Sequence, residues 1–282
     1  MFISNKDQLS YIYAQINLAL NSSISWMTPQ KYIYAYKENS DHNRGYLAVY
    51  TVLTDRDISQ LNTSLDGSLL DDSSDVYMLV SNEMFMRHIL QPTLPDAFGH
   101  GATAQNSVYK TTGGTEGKII NNGNLSCGKT KWGLIYYYPE VTSFTIIVDN
   151  DQLKSTSNGD FDITGLAGAS VTFTVKSTLN CSYNSANQKL TFSTASHSTD
   201  YSKHIPWYDW IAGVIGGEII LGIVDLVVEL VTNGIADSLS HSVSAAGGIS
   251  TESVEVVSWT GINDLNVAQA GLSQALYVKG TY

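Results

Sequence analysis

The sequence predicts an α+β fold, one long helix laid against an extended antiparallel sheet, and three observations carry that prediction. The first is the apolar stretch from Trp207 to Ala246, the longest in the chain. The second is the run from about Gly99 onward, where extended segments alternate with Gly, Asn, Asp and Ser turns. The third is composition: 17 Tyr beside abundant Thr, Ser and Val lean toward β-structure, which suits aromatic and β-branched side chains.

From Ile211 to Leu239 the apolar stretch reads as one helix of about eight turns. Its charges are Glu218, Asp225, Glu229 and Asp237. At about 100° per residue the first three fall within about 40° of one another and form a narrow acidic stripe. The rest of the circumference is apolar, so the helix needs a sheath. A bilayer is a poor one, because a carboxylate at mid-bilayer costs roughly 2.5–3.5 kcal/mol even on the lenient insertion scale. No stable transmembrane span is expected. Ile220 and Val227 lie about 160–180° from the stripe, flanked by Ile223 and Leu230, and are the deepest candidates on the helix. Gly213, Gly216 and Gly217 would let another backbone approach its first turns.

Apolar residues at Leu9, Ile12, Tyr13, Ile16 and Leu20 have helical spacing and predict an amphipathic helix over 6–20. Short strands follow at 25–27 and 31–36, interrupted by Pro29, and another at 45–53. A polar stretch from Asp55 closes at Asp75. Val76 to Val80 is a strand, and Ser81 is the N-cap of a short helix bearing Met84, Phe85, Met86, His88, Ile89 and Leu90, ended by Pro92 and Pro95. Later strands are expected at 133–138, 142–149, 170–178, 189–193 and 253–259. No internal repeat is present, and 1–282 is expected as a single domain, in which 1–98 forms a helix and strand subregion and 99–282 holds the sheet and the long helix.

Charge bounds the function. The 15 Lys and Arg stand against 26 Asp and Glu, a net charge of −11, which disfavours nucleic acid and anionic membrane surfaces as electrostatic partners. The amino terminus lacks the basic start, continuous apolar core and small-residue cleavage site of a signal peptide, so synthesis in a cytoplasm is expected. Cys127 and Cys181 suggest neither a disulfide framework nor a metal site, and whether they pair is left open.

Gly123 to Thr130 matches the phosphate-loop pattern G-x-x-x-x-G-K-[ST] letter for letter. That chemistry needs a helix after Thr130, whose N-terminal N–H groups hold the phosphates. Here Lys131-Trp132-Gly133-Leu134-Ile135 follows, a β-favouring run soon closed by Pro139. The match is read as coincidence, and no nucleotide or other cofactor is expected. No two histidines stand at i, i+4, no G-x-S-x-G elbow occurs, and Asp149 with Asp151 reads as a solvated turn. No metal site and no catalytic residue are expected. Trp207 and Trp210 are placed to cap a cavity mouth, to meet a membrane interface, or to bury at a helix start.

Five segments carry a family likeness: VYMLVSNEMFMRHILQPTLPDAF at 76–98, YYYPEVTSFTIIVDNDQL at 136–153, GDFDITGLAGASVTFTV at 159–175, the Trp-rich helix start at 207–217, and VEVVSWTGINDLNVAQAGLSQALYVKG at 254–280. With these the chain resembles the tubular lipid-binding (TULIP) proteins of clostridial toxin loci, the OrfX proteins and the forty-seven-kilodalton accessory protein encoded beside botulinum neurotoxins. The resemblance implies a long helix wrapped by a strongly curved antiparallel sheet, with an apolar groove between them. It implies a non-catalytic protein that binds lipid or another hydrophobic ligand, accessory to a bacterial toxin system, with toxin-cluster proteins as partners and release from the cell within a toxin complex. The alternative is a protein-interaction component whose groove is filled by its own side chains. The candidate groove residues are Met84, Phe85, Ile89, Ile220, Ile223, Val227 and Leu230.

Overall fold

A computed structural model describes residues 14–16, 26, 30–38, 45–59, 61–64, 73–112, 116–132, 134–186, 189–204, 217–245, 257–259 and 266–281. The chain divides into two compact units. One holds Met1–Met78, Ala246–Gln269 and Val278–Tyr282; the other holds Leu79–Ala245 and Ala270–Tyr277.

In the first unit, strand β1 (Ala14–Ile16) pairs antiparallel with a late segment, Val257–Trp259. The amphipathic helix expected over 6–20 is therefore corrected at 14–16; the rest of that span lies outside the described residues. The local sequence Tyr-Ile-Tyr-Ala-Gln-Ile is aromatic and β-branched, and strand pairing overrides its helical spacing. Strands β2 (Lys31–Glu38) and β3 (Gly45–Val52) form an antiparallel hairpin in which Tyr34 faces Val49 and Tyr36 faces Leu47. Strand β4 (Val76–Val80), of which Val76–Met78 belong to this unit and Leu79–Val80 to the other, matches its predicted bounds.

The second unit carries the main sheet. Ser81 caps the short helix α1 (Asn82–Phe85), its Oγ accepting from Met84 N at 3.4 Å. The chain then widens into a π-turn at Met86–Leu90 and a 3-10 turn at Gln91–Thr93 before helix α2 (Leu94–Phe98). Strands β5 (Ser107–Thr112), β6 (Glu116–Asn121), β7 (Leu125–Ser126), β8 (Thr130–Trp132), β9 (Ile135–Tyr137), β10 (Glu140–Asp149), β11 (Gln152–Asp162), β12 (Ser170–Asn184) and β13 (Lys189–His204) follow. Their seven-stranded sheet runs β13-β12-β11-β10-β6-β5, with β7 also pairing β10, and every pairing is antiparallel. Strands β8 and β9 form a separate hairpin. The helices α3 (Gly217–Val228) and α4 (Gly234–Ala245) come next, joined by a π-turn at Glu229–Asn233. The segment Val257–Trp259 is β14, and the chain closes with β15 (Asn266–Leu272) and β16 (Leu276–Thr281) in a three-stranded sheet ordered β15-β16-β4.

Alternation sets the buried face of the main sheet. Leu153, Ser155, Ser157, Gly159 and Phe161 on β11 are buried, as are Val171, Phe173, Val175, Ser177 and Leu179 on β12. Strand β10 would break the pattern, since Val141 and Phe144 have opposite parity. A register shift between Val141 and Ser143 supplies the extra residue, so Phe144, Ile146 and Val148 all turn inward. Asn121 holds that bulge: its Nδ2 donates to Thr142 O at 2.8 Å and to Gly123 O at 3.0 Å, and its Oδ1 accepts from Phe144 N at 2.9 Å.

The helical segment buries Ile220, Ile223, Val224, Val227, Ile235, Ala236 and Leu239. Each Ile, Leu or Val so covered contributes about 1.5–3 kcal/mol. The π-turn explains why one face can do this along the whole length. A straight α-helix would turn Ala236 onto the acidic stripe and swing Asp237 about 100° away from it. The π-turn acts as a one-residue insertion, which returns Ile235 and Leu239 to within about 20° of the line opposite the stripe and brings Asp237 back onto it. Asp225, Glu229 and Asp237 are all exposed. The single straight helix over 211–239 is thus corrected in two respects: it contains a π-turn and it continues to Ala245. Residues 211–216 lie outside the described residues.

The architecture is mostly antiparallel sheet with few helices, as expected. Strands β10, β12 and β13 lie where extended runs were predicted and reach further. Strand β11 escaped notice because Ser, Thr, Asn and Gly occupy positions that hydrophobic patterning expects to be apolar.

Candidate functional site

The candidate site is the interior between α3–α4 and the buried face of the main sheet, within the second unit. Helix α3 packs on β12 and β13, while α4 packs on β13, on α2 and on the turns that precede α2. Strand β13 is an edge strand, and α4 satisfies its open side: Phe192 N donates to Ser240 Oγ at 2.8 Å, and Ser240 Oγ donates to Phe192 O at 3.3 Å. About two turns earlier, Thr194 Oγ1 donates to Asn233 Oδ1 at 3.0 Å. Gly234 is a close approach of the helix to α2, since a Cβ there would lie 2.6 Å from Ala97 O.

Of the predicted groove residues, Ile220, Ile223 and Val227 are buried on the sheet side of the helix, at most 1% exposed. Phe85 is 1% exposed and stacks on Phe192, with ring centroids 6.4 Å apart. Met84 and Ile89 are half-buried, whereas their neighbours Met86 and Leu90 are wholly buried. The side chain of Leu230 lies outside the described residues. Aromatic packing continues through Phe98 on Phe144 at 5.2 Å.

Polar groups in this interior are what hydrophobic patterning missed. Ser155 and Ser177 face each other across β11 and β12 and share a hydrogen bond of 2.6 Å. Ser157 Oγ and Thr232 Oγ1 are buried and have no hydrogen-bond partner among the described residues. An unpartnered buried hydroxyl costs about 1–3 kcal/mol, so such atoms call for water or a ligand group. The only signal in the sequence was small polar residues at inward positions of a strand.

Burial pushes the thiols of Cys127 and Cys181 up to about 12, which leaves them protonated and poor nucleophiles near neutral pH. Both are free cysteines. Burial also raises Tyr137 and Tyr183, and lowers His88. Among the described residues, no cluster of His, Cys, Asp and Glu could hold a metal ion, and no helix is long and apolar enough to cross a membrane.

The phosphate-loop letters fold into something else. Gly123 and Gly128 take positive φ, at 86° and 87°, and Thr130 enters strand β8 where the motif's chemistry requires a helix. The Lys129 ammonium lies 3.7 Å from the centroid of the Tyr136 ring.

Comparison with known proteins agrees with this architecture. The family model described as OrfX-like, Protein OrfX2/OrfX3/P47, matches residues 3–278. Protein P47 of Clostridium botulinum (strain Kyoto / Type A2) is 31% identical over 244 residues, 80% of this chain and 58% of that protein. Protein OrfX3 of Paraclostridium bifermentans is 24% identical over 165 residues, 53% of this chain and 33% of its own length. The crystal structure of P47 of C. botulinum E1 superposes with a TM-score of 0.73 at 27% identity, over 99% of this chain and 66% of that one. P47 from C. botulinum A2 superposes at 0.72 and 26%, over 100% and 64%. This chain therefore spans less than two thirds of the P47 proteins it matches. On the family match across nearly its whole length, the chain belongs to the OrfX2/OrfX3/P47 family.

Proposed function

We propose that this chain is a non-catalytic binding component of a bacterial toxin system, taking a lipid or another hydrophobic ligand between its long helix and a strongly curved antiparallel sheet. The observation that carries the reading is that two buried hydroxyls, Ser157 and Thr232, have no hydrogen-bond partner among the described residues, in an interior that is otherwise mainly Ile, Val and Phe. An amphiphile meets both requirements, because its chain packs against Ile, Val and Phe while its polar group accepts or donates at the hydroxyls. The relation to P47 and OrfX3 supports the accessory role, with toxin-cluster proteins as partners and release within their complex. The alternative, a protein-interaction component with a filled interior, is favoured by the near-complete burial of Ile220, Ile223 and Val227.

Native mass spectrometry of the purified chain tests the proposal. A lipid-sized mass increment that organic extraction removes is the expected result. Val227→Trp separates the two readings. In a filled core it overpacks, at a cost of about 1–3 kcal/mol, and no adduct is seen in either protein. In an open groove the variant stays folded and loses the adduct. A stable Val227→Trp protein with an unchanged adduct refutes ligand binding at this position.

A further inference from the structure

We infer that the β8–β9 hairpin is a docking element for an anionic lipid surface. It stands apart from the interior site and does not depend on that site holding a ligand.

The hairpin projects an ordered series of side chains. Leu134, in the turn between the strands, is 92% exposed, and Ile135 beside it is 40% exposed. Behind the turn come Tyr136 at 39% and Tyr138 at 59%. Lys131 is the cross-strand partner of Tyr136, so the two share a face. The Lys131 ammonium is 5.7 Å from the Tyr136 ring centroid, and that of Lys129 is 3.7 Å from Tyr136 and 5.9 Å from Tyr138. Behind the aliphatic tip the tyrosines and lysines stand side by side, Lys131 level with Tyr136. A bilayer surface matches this, with acyl chains for the aliphatic tip and an interfacial and headgroup region that takes tyrosine rings and lysine ammoniums together.

The base of the hairpin is fixed. Tyr137, alternating to the opposite face, is 2% exposed and meets Phe161 edge-on at 6.1 Å. Thr164 Oγ1 donates to Tyr136 O at 2.7 Å, and Cys127 N donates to Pro139 O at 2.9 Å. The exposed side chains are therefore carried on a supported strand pair, which limits the ordering cost on docking to the side chains themselves.

Charge selects the occupant. The chain carries −11 overall, yet from Gly117 to Pro139 it has lysines and no carboxylate. At physiological salt the Debye length is about 8 Å, so a surface touching the tip responds to Lys129 and Lys131 more than to the carboxylates beyond the base of the hairpin, where Glu140 follows Pro139. Protein interfaces are depleted in Lys, whereas lysines beside exposed aromatic and aliphatic side chains suit anionic headgroups.

The test is co-flotation of the intact chain with phosphatidylcholine vesicles, with and without phosphatidylserine, at physiological salt. The chain is expected to float with the phosphatidylserine vesicles, and Leu134→Glu to reduce the bound fraction on the order of tenfold. Leu134→Ser, which adds no charge, should also reduce it. Lys129→Gln with Lys131→Gln should abolish the preference for phosphatidylserine. Exposure of Leu134 means that its variants keep the parental melting temperature. Absence of flotation with either vesicle overturns the inference, as does undiminished flotation of both Leu134 variants. A concentration-dependent oligomer that Leu134→Glu dissolves, without vesicle binding, would also overturn it and assign the hairpin to a second copy of the chain.

Discussion

Gly234→Ala sets two known effects against each other at a close approach of helix α4 to α2. Alanine is a better helix former than glycine by about 0.8–1.0 kcal/mol, so an unconstrained helix would gain that much. Gly234 is not unconstrained, because an added Cβ would lie 2.6 Å from Ala97 O and 3.4 Å from Ala97 C. The obstructing atom is a backbone oxygen, which cannot rotate aside as a side chain would. Either α2 or α4 must retreat by several tenths of an ångström, and overpacking of this kind costs about 1–3 kcal/mol. The contact should outweigh propensity and leave the variant less stable by about 1 kcal/mol. Urea unfolding followed by far-UV circular dichroism reads this directly, as a lower midpoint with an unchanged slope. An unchanged or raised midpoint would refute the claim that α2 and α4 are packed backbone to side at this glycine.

Three further outcomes follow from the same structure. Asn121→Ala should destabilise the protein by about 2 kcal/mol in urea unfolding, since it leaves Phe144 N and Thr142 O at the bulge without their partner. Stability should fall at alkaline pH: Cys127 and Cys181 have thiols raised by burial from 9.0 to about 12, so their contribution is whole below pH 9 and is lost as the pH climbs toward 12. Tyr109, Tyr137 and Tyr183, also raised by burial, act in the same direction above their ordinary 10.0, and a flat melting temperature across that range would contradict the assignment. Mg-ATP should leave the melting temperature unchanged in both the parent and Lys129→Ala, because β8 stands where a phosphate-binding loop would continue into a helix; a rise that Lys129→Ala removes would reverse that reading.

Much of the chain's organisation was determined by local chemistry and is legible in the residues. The Ser81 cap, the strand at Val76–Val80, and the burial of Ile220, Ile223 and Val227 opposite the acidic residues all follow from capping and periodicity, which depend on neighbours within a few positions. Tertiary structure decided the rest. The strand at Ala14–Ile16 exists through pairing with Val257–Trp259, a partner far along the chain that spacing cannot reveal. The bulge in β10 depends on Asn121 from a neighbouring strand. Strand β11 is polar enough to look like loop, and becomes strand because β10 and β12 supply its hydrogen bonds on both sides. The π-turn at Glu229–Asn233 shows the same division most sharply. Asp225, Glu229 and Asp237 share one exposed stripe only because packing of α3 and α4 on one sheet selects an extra residue in the turn between them. Sequence periodicity assumes a constant angle per residue, and the interior of the folded protein chose where to break it.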